Sequence, residues 1–480
     1  MIKGANDLKQ MNVLFVTTEL AGYVKVGGLA DVSSALPIAL RQKGIDVRVL
    51  IPFYGAARSP LKYKLLGRLE GLSEIPPCEL ATTTSEDGVP VYFIVCPALY
   101  ERAGGPYGDA DHIDWPDNDI RFARLSLAAA QIAGGADSWR PDLVHGHDWP
   151  AALASGYLVW RDVPVPSVFT VHNLAYQGLF PNSRLGALGI PGWAYSINGL
   201  EFHDKLSFLK AGLIYSAHVT AVSPTYAQEI TREEMGCGLH HLLAGLAASG
   251  RLSGIANGIG ADWSPEHDRY LVQRYPPNTR KAKQRNADGV RMEFGLAERS
   301  APLFAIVSRL IHQKGVDLVL DTARAIVAKG GQLALIGQGD RDLEAAAART
   351  AALYPDNIGV KIAFDEPLSR RMIAGSDFYL MPSRFEPCGL NQMYAQRYGS
   401  LPIAHATGGL ADTINDGRTG FLFSDATAGG LEGAIARALK VYGDSEKHTA
   451  MCNAAMAEDF SWIKAATHYE EVYRSALGRR

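Results

Sequence analysis

The sequence has few cysteines, no excess of basic residues and no long apolar run. Its five cysteines are scattered and none forms a C-x-x-C pair, so neither a disulfide framework nor a zinc site is indicated. A reducing, cytoplasmic compartment is the simplest expectation. The net charge of -3 argues against nucleic acid as a main partner, because phosphate backbones demand a basic face. No apolar run approaches the roughly 20 residues of a membrane-spanning helix, so no membrane partner is expected either.

The chain is long enough to build more than one core. Its 480 residues allow two or three domains, and an apolar content of 47% with 20% charged residues is ordinary for a globular protein. Residues 1–10 are polar and lack the apolar segment of a signal peptide, so we expect them to form a tail.

The first half opens with a strand, a glycine-bearing loop, a helix and a second strand. Residues 12–18 are a continuous apolar run, residues 30–44 have apolar positions at helical spacing, and residues 47–52 form the next strand. This order predicts a doubly wound α/β sheet. The G-x-G-x-x-G fingerprint is absent, which disfavours a nicotinamide-dependent dehydrogenase.

The loop after the first strand carries a candidate anion-binding group. Gly27 and Gly28 allow the backbone to come close to a ligand, and the ammonium of Lys25 could meet a phosphate there. The alternative is a surface lysine beside an ordinary turn.

Polar side chains follow two further apolar strands in this half. Asp148 ends the segment H-G-H-D, and His172 and Asn173 end T-V-H-N. Ligands of open α/β sheets bind beyond the carboxyl ends of the strands, so these residues lie where chemistry is expected. The H-x-H spacing of His145 and His147 also permits a metal, but a third ligand is not obvious, and hydrogen bonding is the preferred interpretation.

Strands alternate with helices again in the second half. Apolar strand candidates at 302–309, 333–339, 360–364 and 378–382 predict a second Rossmann-like domain. The chain is therefore expected to comprise a tail (1–10), a first domain (11–265), a second domain (266–458) and a final segment whose amphipathic helix packs back on the first domain (459–480).

Loops of the second domain carry charges suited to a diphosphate and a sugar. Arg309 and Lys314 bracket the loop after its first strand, where two cations facing a helix start favour a diphosphate over two solvated side chains. Glu386 precedes a helix that Gly389 and Leu390 open. A carboxylate there would repel phosphate, so we expect it to accept hydrogen bonds from sugar hydroxyls or to face developing positive charge. An incidental Glu in a capping loop is the alternative.

One short segment occurs twice. G-G-L-A-D-V at 27–32 recurs as G-G-L-A-D-T at 408–413, each predicted to begin a helix after a strand. The repeat is consistent with two similar domains facing across a cleft, although chance within a fold rich in glycine turns would also produce it.

Together these segments resemble the bacterial glycogen synthase and plant starch synthase family. The resemblance covers nearly the whole chain from residue 11 onward. The matching segments are K-V-G-G-L-A-D-V, Y-E-R-A-G-G-P-Y, H-G-H-D-W, T-V-H-N, V-S-P-T-Y-A-Q-E-I, S-R-L-I-H-Q-K-G, P-S-R-F-E-P-C-G-L-N-Q and T-G-G-L-A-D-T. One segment alone is a weak signal, but this order and spacing are highly specific.

The resemblance implies two Rossmann-like domains of the GT-B type facing across a cleft, with the last helix crossing back to the first domain. It implies a hexosyltransferase that moves glucose from ADP-glucose to the non-reducing 4-OH of an α-1,4-glucan such as glycogen, with retention of configuration. It implies no required metal and no other cofactor.

The resemblance also assigns roles to residues. Arg309 and Lys314 are expected to neutralise the leaving diphosphate, and Glu386 to be the essential carboxylate near the donor glucose. The catalytic positions it implies are Asp148, His172, Arg309, Lys314 and Glu386. The donor-binding positions it implies are Lys25, Gly27, Gly28, Asp31, Asn173, Asn257, Cys388, Gly389, Leu390, Asn391 and Tyr100, the last as an aromatic that stacks on the base.

Three positions depart from the family pattern. Val26 and Asn391 stand where Thr is usual, and Gly260 replaces the usual Asp in a segment that is one residue short. Two other readings stay open: a UDP-glucose or mannose transferase of the same fold, and an inactive paralogue that binds glucan. The K-V-G-G-L and E-P-C-G-L segments argue against the first, and the three charged groups of the second domain argue against the second.

Overall fold

The computed structural model describes residues 11–55, 62–111 and 113–478, so the predicted tail lies outside the described residues. The described chain forms two compact units. Unit 1 comprises the described residues up to Gly258 together with those from Trp462 onward, and unit 2 is Ile259–Ser461. The division between the units therefore falls before the predicted domain boundary at 265.

Unit 1 is organised around a largely parallel sheet. Its described strands are β1 (Asn12–Val16), β2 (Asp46–Pro52), β3 (Lys64–Leu69), β4 (Cys78–Thr84), β5 (Pro90–Val95), β6 (Leu143–His147), β7 (Ser167–Val171), β8 (Leu179–Pro181), β9 (Glu201–Phe202), β10 (Lys205–Ser207), β11 (His218–Ala221) and β12 (Leu252–Gly254). The main sheet has the order β12-β11-β7-β6-β1-β2-β5-β4-β3, and it is parallel from β12 to β5. The carboxyl ends of β1, β6 and β7 are therefore neighbours at one edge.

The helices of unit 1 cover this sheet. They are α1 (Gly28–Gln42), α2 (Pro97–Tyr100), α3 (Asn118–Gln131), α4 (Asp148–Ala151), α5 (Leu153–Trp160), α6 (Phe208–Tyr215), α7 (Pro224–Glu229) and α8 (His240–Ala248). The predicted cap of α7 is present: the Ser223 hydroxyl accepts a hydrogen bond from the Tyr226 amide at 3.2 Å, and Pro224 begins the helix.

Unit 2 repeats the alternation with a fully parallel sheet. Its strands are β13 (Leu303–Val307), β14 (Gln332–Gly337), β15 (Ile358–Ile362), β16 (Phe378–Met381), β17 (Leu401–His405) and β18 (Phe421–Phe423), in the order β15-β14-β13-β16-β17-β18. Its helices are α9 (Arg280–Phe294), α10 (Val316–Ala328), α11 (Arg341–Leu353), α12 (Glu366–Gly375), α13 (Asn391–Arg397), α14 (Gly408–Thr413), α15 (Ala428–Tyr442) and α16 (Ser445–Met456). β13 and β16 are adjacent, so the loops that follow them meet.

The last helix, α17 (Trp462–Gly478), packs into the core of unit 1. Trp462, Tyr469 and Tyr473 are buried in the same cluster as residues of α1 and β2. The Tyr473 hydroxyl lies 2.7 Å from Nδ1 of His145 in β6. A helix that follows unit 2 in sequence thus completes the core of unit 1. No helix of the described residues, α17 included, has the length and apolar character needed to cross a membrane.

Candidate functional site

The loops after β13 and β16 bring Lys314 and Glu386 together in unit 2. The Lys314 ammonium donates to Oε2 of Glu386 at 2.5 Å, and the Ser383 hydroxyl donates to the same oxygen at 3.1 Å. Glu386 is only 7% exposed. Because a buried carboxylate needs charged or hydrogen-bonding partners, these two donors hold Glu386 in one orientation.

Hydrogen bonds and close packing fix these two loops against each other. The Arg384 amide donates to the Gln313 carbonyl at 2.8 Å, and the Arg384 guanidinium makes a two-point ion pair with Asp317 at 2.6 and 2.9 Å. Gly315 has a φ of +65°, and a Cβ there would lie 2.1 Å from the Pro382 carbonyl oxygen. Only glycine fits this position, so the lysine beside it is held close to the Glu386 loop.

Arg309 has different surroundings from Lys314. It is exposed, and within the part of the chain that the structure describes its guanidinium makes no ion pair and no side-chain hydrogen bond. The two predicted cations of unit 2 are therefore in different states, because Lys314 is paired with a carboxylate and Arg309 is open to an incoming anion.

The segment after Glu386 packs backbone to backbone on the start of α14. Gly389 has a φ of +69°, in the left-handed region. A Cβ at Gly408 would lie 2.0 Å from the Glu386 carbonyl oxygen, and one at Gly409 would lie 2.1 Å from that of Cys388. The Gly409 amide donates to the Glu386 carbonyl at 3.2 Å. The repeated Gly-Gly segment of unit 2 thus supports the Glu386 loop directly.

Asn391, which follows Leu390 at the start of α13, directs its amide nitrogen into unit 2. Nδ2 donates to the Val307 carbonyl at 3.0 Å and contacts the Tyr379 hydroxyl at 2.9 Å. Nδ2 therefore joins the start of α13 to the end of β13.

Asp148 lies at the carboxyl end of β6 in unit 1, in a strained conformation. Its φ is +60°, uncommon for a residue other than glycine, and such strain clusters at functional sites. Oδ1 accepts from the His172 amide at 3.4 Å. The pKa of Asp148 is raised to about 7, mainly because the carboxyl is buried. Hydrogen bonds from the backbone N–H groups of His172, Asn173 and Trp149 lower this pKa, and the charge of Glu19 raises it. This carboxyl therefore changes charge near neutral pH.

His172 is paired with another histidine of the predicted segment. Its Nε2 lies 3.0 Å from Nδ1 of His147, and burial lowers the pKa of His172 to about 3, so the ring is neutral above pH 5. His145 uses both ring nitrogens in hydrogen bonds, to Tyr473 and Thr170, each at 2.7 Å. Among the residues described, no group of three or more His, Cys, Asp or Glu could hold a metal ion. The geometry supports hydrogen bonding for the H-x-H segment.

Lys25 and Asp31 pair with each other in unit 1. The ammonium donates to Oδ1 of Asp31 at 2.7 Å, and both side chains are partly exposed. Gly27 and Gly28 are exposed as well. The Gly27 amide donates to a carboxylate oxygen of Glu19 at 2.8 Å, so that amide is not available to a phosphate.

Tyr100 is a correction to the sequence interpretation. Its side chain is 1% exposed, its hydroxyl donates to the Arg121 carbonyl at 2.7 Å, and the guanidinium of Arg121 lies 5.7 Å from the ring centre. A ring enclosed in this way has no free face for a nucleotide base. Tyr100 is therefore a core residue of unit 1 in this conformation and does not stack on a ligand.

Two asparagines of unit 1 lie in the loops that follow β7 and β12. Oδ1 of Asn173 accepts from the Ala175 amide at 3.1 Å and so shapes the turn after β7. Asn257 follows β12, is 8% exposed, and its Oδ1 is buried without a hydrogen-bond partner. A buried amide oxygen without a partner is costly, which favours a donor supplied from outside the chain.

Sequence reasoning missed Glu19, Tyr107, His147 as the partner of His172, and Ser383. Glu19 could have been found by the rule that identified Asp148, because it follows β1 as Asp148 follows β6. The contacts of Tyr107 and Ser383 have no such sequence signal, since they depend on how distant loops pack.

Family models match both units. The starch synthase catalytic domain matches residues 12–245, and glycosyl transferases group 1 matches residues 292–456. The glycogen synthase of Pseudomonas syringae pv. syringae (strain B728a) is 50% identical over 475 residues, which cover 98% of each chain. Glycogen synthase 1 of Bradyrhizobium diazoefficiens is 49% identical over 455 residues, 94% of this chain and 98% of that one.

Solved structures show the same relationship. The catalytic domain of starch synthase IV from Arabidopsis thaliana, bound to ADP and acarbose, superposes with a TM-score of 0.87 at 32% identity, covering 98% of this chain and 100% of that chain. A sucrose-phosphate synthase from Thermosynechococcus elongatus matches with a TM-score of 0.61 at 17% identity over 98% of this chain and all of its own, and at that identity it shows a shared fold alone.

Proposed function

Because this chain belongs to the glycogen synthase family of glycosyltransferases, we propose that it transfers glucose from ADP-glucose to the non-reducing 4-OH of an α-1,4-glucan such as glycogen, with retention of configuration. The family, the glycosyltransferase class and the fold, two Rossmann-like α/β domains of the GT-B type, are confirmed. The donor, the acceptor and the residue roles below are the proposal.

The ion pair of Lys314 and Glu386, with the open Arg309 nearby in sequence, is the observation that carries the proposal. Breaking the bond between the glucose and the diphosphate leaves negative charge on the phosphate and positive charge on the sugar. Fixed cations aimed at the phosphate stabilise that charge as it forms. In the proposed complex Lys314 and Arg309 bind the diphosphate, and Glu386 accepts a hydroxyl of the donor glucose or faces its developing positive charge.

Unit 1 supplies further groups in this proposal. Lys25 exchanges its partner Asp31 for a donor phosphate. His172 is neutral above pH 5 because burial depresses its pKa, so it hydrogen-bonds a sugar hydroxyl and does not act as an acid. Asp148, which is charged above its pKa of about 7, accepts hydrogen bonds from sugar hydroxyls. Asn257 offers a buried amide oxygen that lacks a partner within the described chain.

Retention follows in the proposal from attack on the face that the diphosphate leaves. The pair of carboxylates that retaining hydrolases use is not evident in the sequence. A phosphate oxygen of the leaving group then accepts the proton of the attacking 4-OH. No metal is assigned to this step, because Lys314 and Arg309 provide the positive charge.

Incubation of the purified protein with ADP-glucose and glycogen tests the proposal. We expect ADP release that depends on glycogen, and new linkages that an α-1,4-specific glucosidase removes. A Glu386→Gln variant keeps the size of the side chain and loses its charge, so turnover should fall by about 100-fold or more. Glu432→Gln is the matched surface control, since it makes the same chemical change at an exposed residue of α15.

Parallel reactions with UDP-glucose and GDP-mannose distinguish the alternatives. Faster turnover with either donor would replace ADP-glucose as the substrate, and glycogen binding without turnover of any donor would favour an inactive paralogue. A cytoplasmic site of action is also proposed, consistent with the five cysteines, all of which are free thiols.

A further inference from the structure

Glu19 is a buried carboxylate in unit 1 whose two oxygens are both used within the chain. Oε2 accepts from the amides of Val26 and Gly27 at 2.7 and 2.8 Å, and Oε1 accepts from the Tyr107 hydroxyl at 2.7 Å. Glu19 is 3% exposed. Three donors around a buried charge make charge-assisted bonds, which are stronger than neutral ones. Both oxygens of the side chain are thus hydrogen-bonded within the protein.

The loop that Glu19 holds is the one that carries Lys25. Leu20 and Val24 exchange backbone hydrogen bonds at 3.0 and 2.9 Å, which closes the loop on its amino-terminal side. The bonds from Val26 and Gly27 to Glu19 close it on the other side. Lys25 lies between these two fixed points, so its Cα position depends on both. Its own side chain is partly exposed and forms an ion pair with Asp31 at 2.7 Å.

We propose that Glu19 is a positioning residue: its carboxylate anchors the loop of Lys25 to the carboxyl end of β1, and so sets where the ammonium of Lys25 meets the donor. Tyr107 adds a second contact at this anchor, because its hydroxyl also lies 2.9 Å from the Thr18 hydroxyl. The proposal rests on the proposed function in one respect, namely that Lys25 contacts the donor phosphates.

Hydrogen exchange tests the anchor without reference to activity. In the wild-type protein the amides of Val26 and Gly27 should exchange slowly, because a buried carboxylate accepts from both. Glu19→Ala removes that acceptor and should speed exchange of a peptide covering 20–28 by tenfold or more, while peptides of β13 and β14 in unit 2 stay unchanged. Equal exchange in the variant and the wild type would overturn the anchor.

A double-mutant cycle tests whether the anchor acts through Lys25. Glu19→Ala and Lys25→Ala should each lower kcat/KM for ADP-glucose by about 10- to 100-fold. The first misplaces the ammonium of Lys25, and a displacement of about 1 Å is costly. The second removes the ammonium altogether. The double variant should be no worse than Lys25→Ala alone, because both changes remove one contact. Multiplying effects would show that Glu19 acts independently of Lys25 and would overturn the positioning role.

Glu19→Gln is the conservative variant and guards against a folding defect in Glu19→Ala. One oxygen accepts both amides in the native loop, so the amide oxygen of Gln can do the same, and its NH2 group can donate to the Tyr107 hydroxyl. Slow exchange at 20–28 and a kcat/KM within about threefold of wild type are expected. Loss of activity as large as in Glu19→Ala, with the loop still protected, would contradict the proposal.

The readouts separate failure of this inference from failure of the proposed function. If no donor is turned over by the wild-type protein, the proposed function fails while the exchange measurement still decides the anchor. If ADP-glucose is turned over and Glu19→Ala matches the wild type in kcat/KM despite rapid exchange at 20–28, the loop anchor exists but positions nothing, and the inference fails alone.

Discussion

The segment G-G-L-A-D begins a helix in each unit, yet its glycines have opposite surroundings. In unit 1, Gly27 and Gly28 are exposed, and a Cβ at Gly27 would meet no atom within 4 Å. In unit 2, Gly408 and Gly409 are buried against the backbone of the Glu386 loop. The glycines of this five-residue segment therefore have different structural roles in the two units. Contacts within the described chain require glycine at Gly408 and Gly409, whereas the structure leaves room for a side chain at Gly27.

The carboxylates near the two segments also have different partners. In unit 1 the carboxylate of Glu19 binds the backbone at the helix start and leaves Lys25 at the surface. In unit 2 the carboxylate of Glu386 binds Lys314 itself. In unit 2, Lys314 and Glu386 thus form a charge cluster that is already assembled and rigid. In unit 1, the loop of Lys25 is exposed, and the buried carboxylate of Glu19 holds its backbone. We expect substitutions in unit 2 to affect stability and turnover, and those in unit 1 to affect mainly binding.

The largest effect is expected for Gly409→Ala. Its Cβ would overlap the Cys388 carbonyl oxygen at 2.1 Å, and no side-chain rotation relieves a contact with backbone. Overpacking of this kind costs about 1–3 kcal/mol or more, so the melting temperature should fall by several degrees and activity should nearly vanish. Thermal melts and turnover assays measure both.

Gly27→Ala is the matched control in unit 1. Its φ of -144° is one that alanine adopts without strain. Replacing the N-cap glycine of α1 destabilises the fold, whereas alanine stabilises it by lowering the conformational entropy of the unfolded chain. The two effects are each up to about 1 kcal/mol and oppose each other. The melting temperature should hardly change, while the KM for ADP-glucose should rise severalfold if the backbone approaches the donor there. Equal destabilisation by the two alanines would remove the contrast between the segments.

The second effect in size concerns the two lysines. Lys314→Ala removes a cation that the proposal places on the leaving diphosphate, so kcat should fall by about 100- to 1,000-fold with the fold retained. Lys25→Ala removes an exposed contact that acts in binding, so most of its effect should appear in the KM for the donor. Circular dichroism checks the fold of both variants. Near-normal turnover of Lys314→Ala would contradict the role of the cluster in unit 2.

The sequence located two polar residues that directly follow apolar strands. Asp148 and His172 are predicted at strand ends because a continuous apolar run followed by polar residues is a local pattern. Tyr100 could not be placed in the same way. An aromatic residue next to a loop rich in Gly and Asp resembles a ligand platform, and its enclosure depends on Arg121, which comes from α3.

The different roles of the two glycine pairs were equally hidden from the sequence. Gly409 is fixed by Cys388, which lies 21 positions earlier, and nothing in either segment records that they touch. The hydrogen bond between Glu19 and Tyr107 could not be predicted from the sequence either, since 88 positions separate the two residues. Strand ends are local features, whereas backbone contacts between loops depend on tertiary packing.

A smaller effect, on pH dependence, should come from Asp148→Asn in unit 1. The native pKa of about 7 lies above the ordinary value near 4, so Asp148 is protonated in the fold below pH 7 and charged above it. Activity that needs the carboxylate should therefore rise with pH through 7, and the variant should lack that inflection. A raised native pKa contributes stability at low pH that is lost as pH rises through 7. The melting temperature of the variant relative to wild type should thus increase from pH 5 to pH 8, and a constant difference would contradict the shift.

The smallest effect is expected for Asn391→Thr in unit 2, a change to the residue that the family resemblance leads us to expect there. Nδ2 of Asn391 lies within hydrogen-bonding distance of the Val307 carbonyl and the Tyr379 hydroxyl, whereas a threonine hydroxyl could serve only one of them as donor. The Tyr379 hydroxyl also donates to Val307 at 3.0 Å, so that carbonyl keeps a partner after the change. The loss of one bond should cost about 1 kcal/mol or less, with the KM for ADP-glucose within about threefold of wild type. A tenfold change in KM without a change in melting temperature would show that this position contacts the donor directly, and the rigid cluster of unit 2 would then extend to the start of α13.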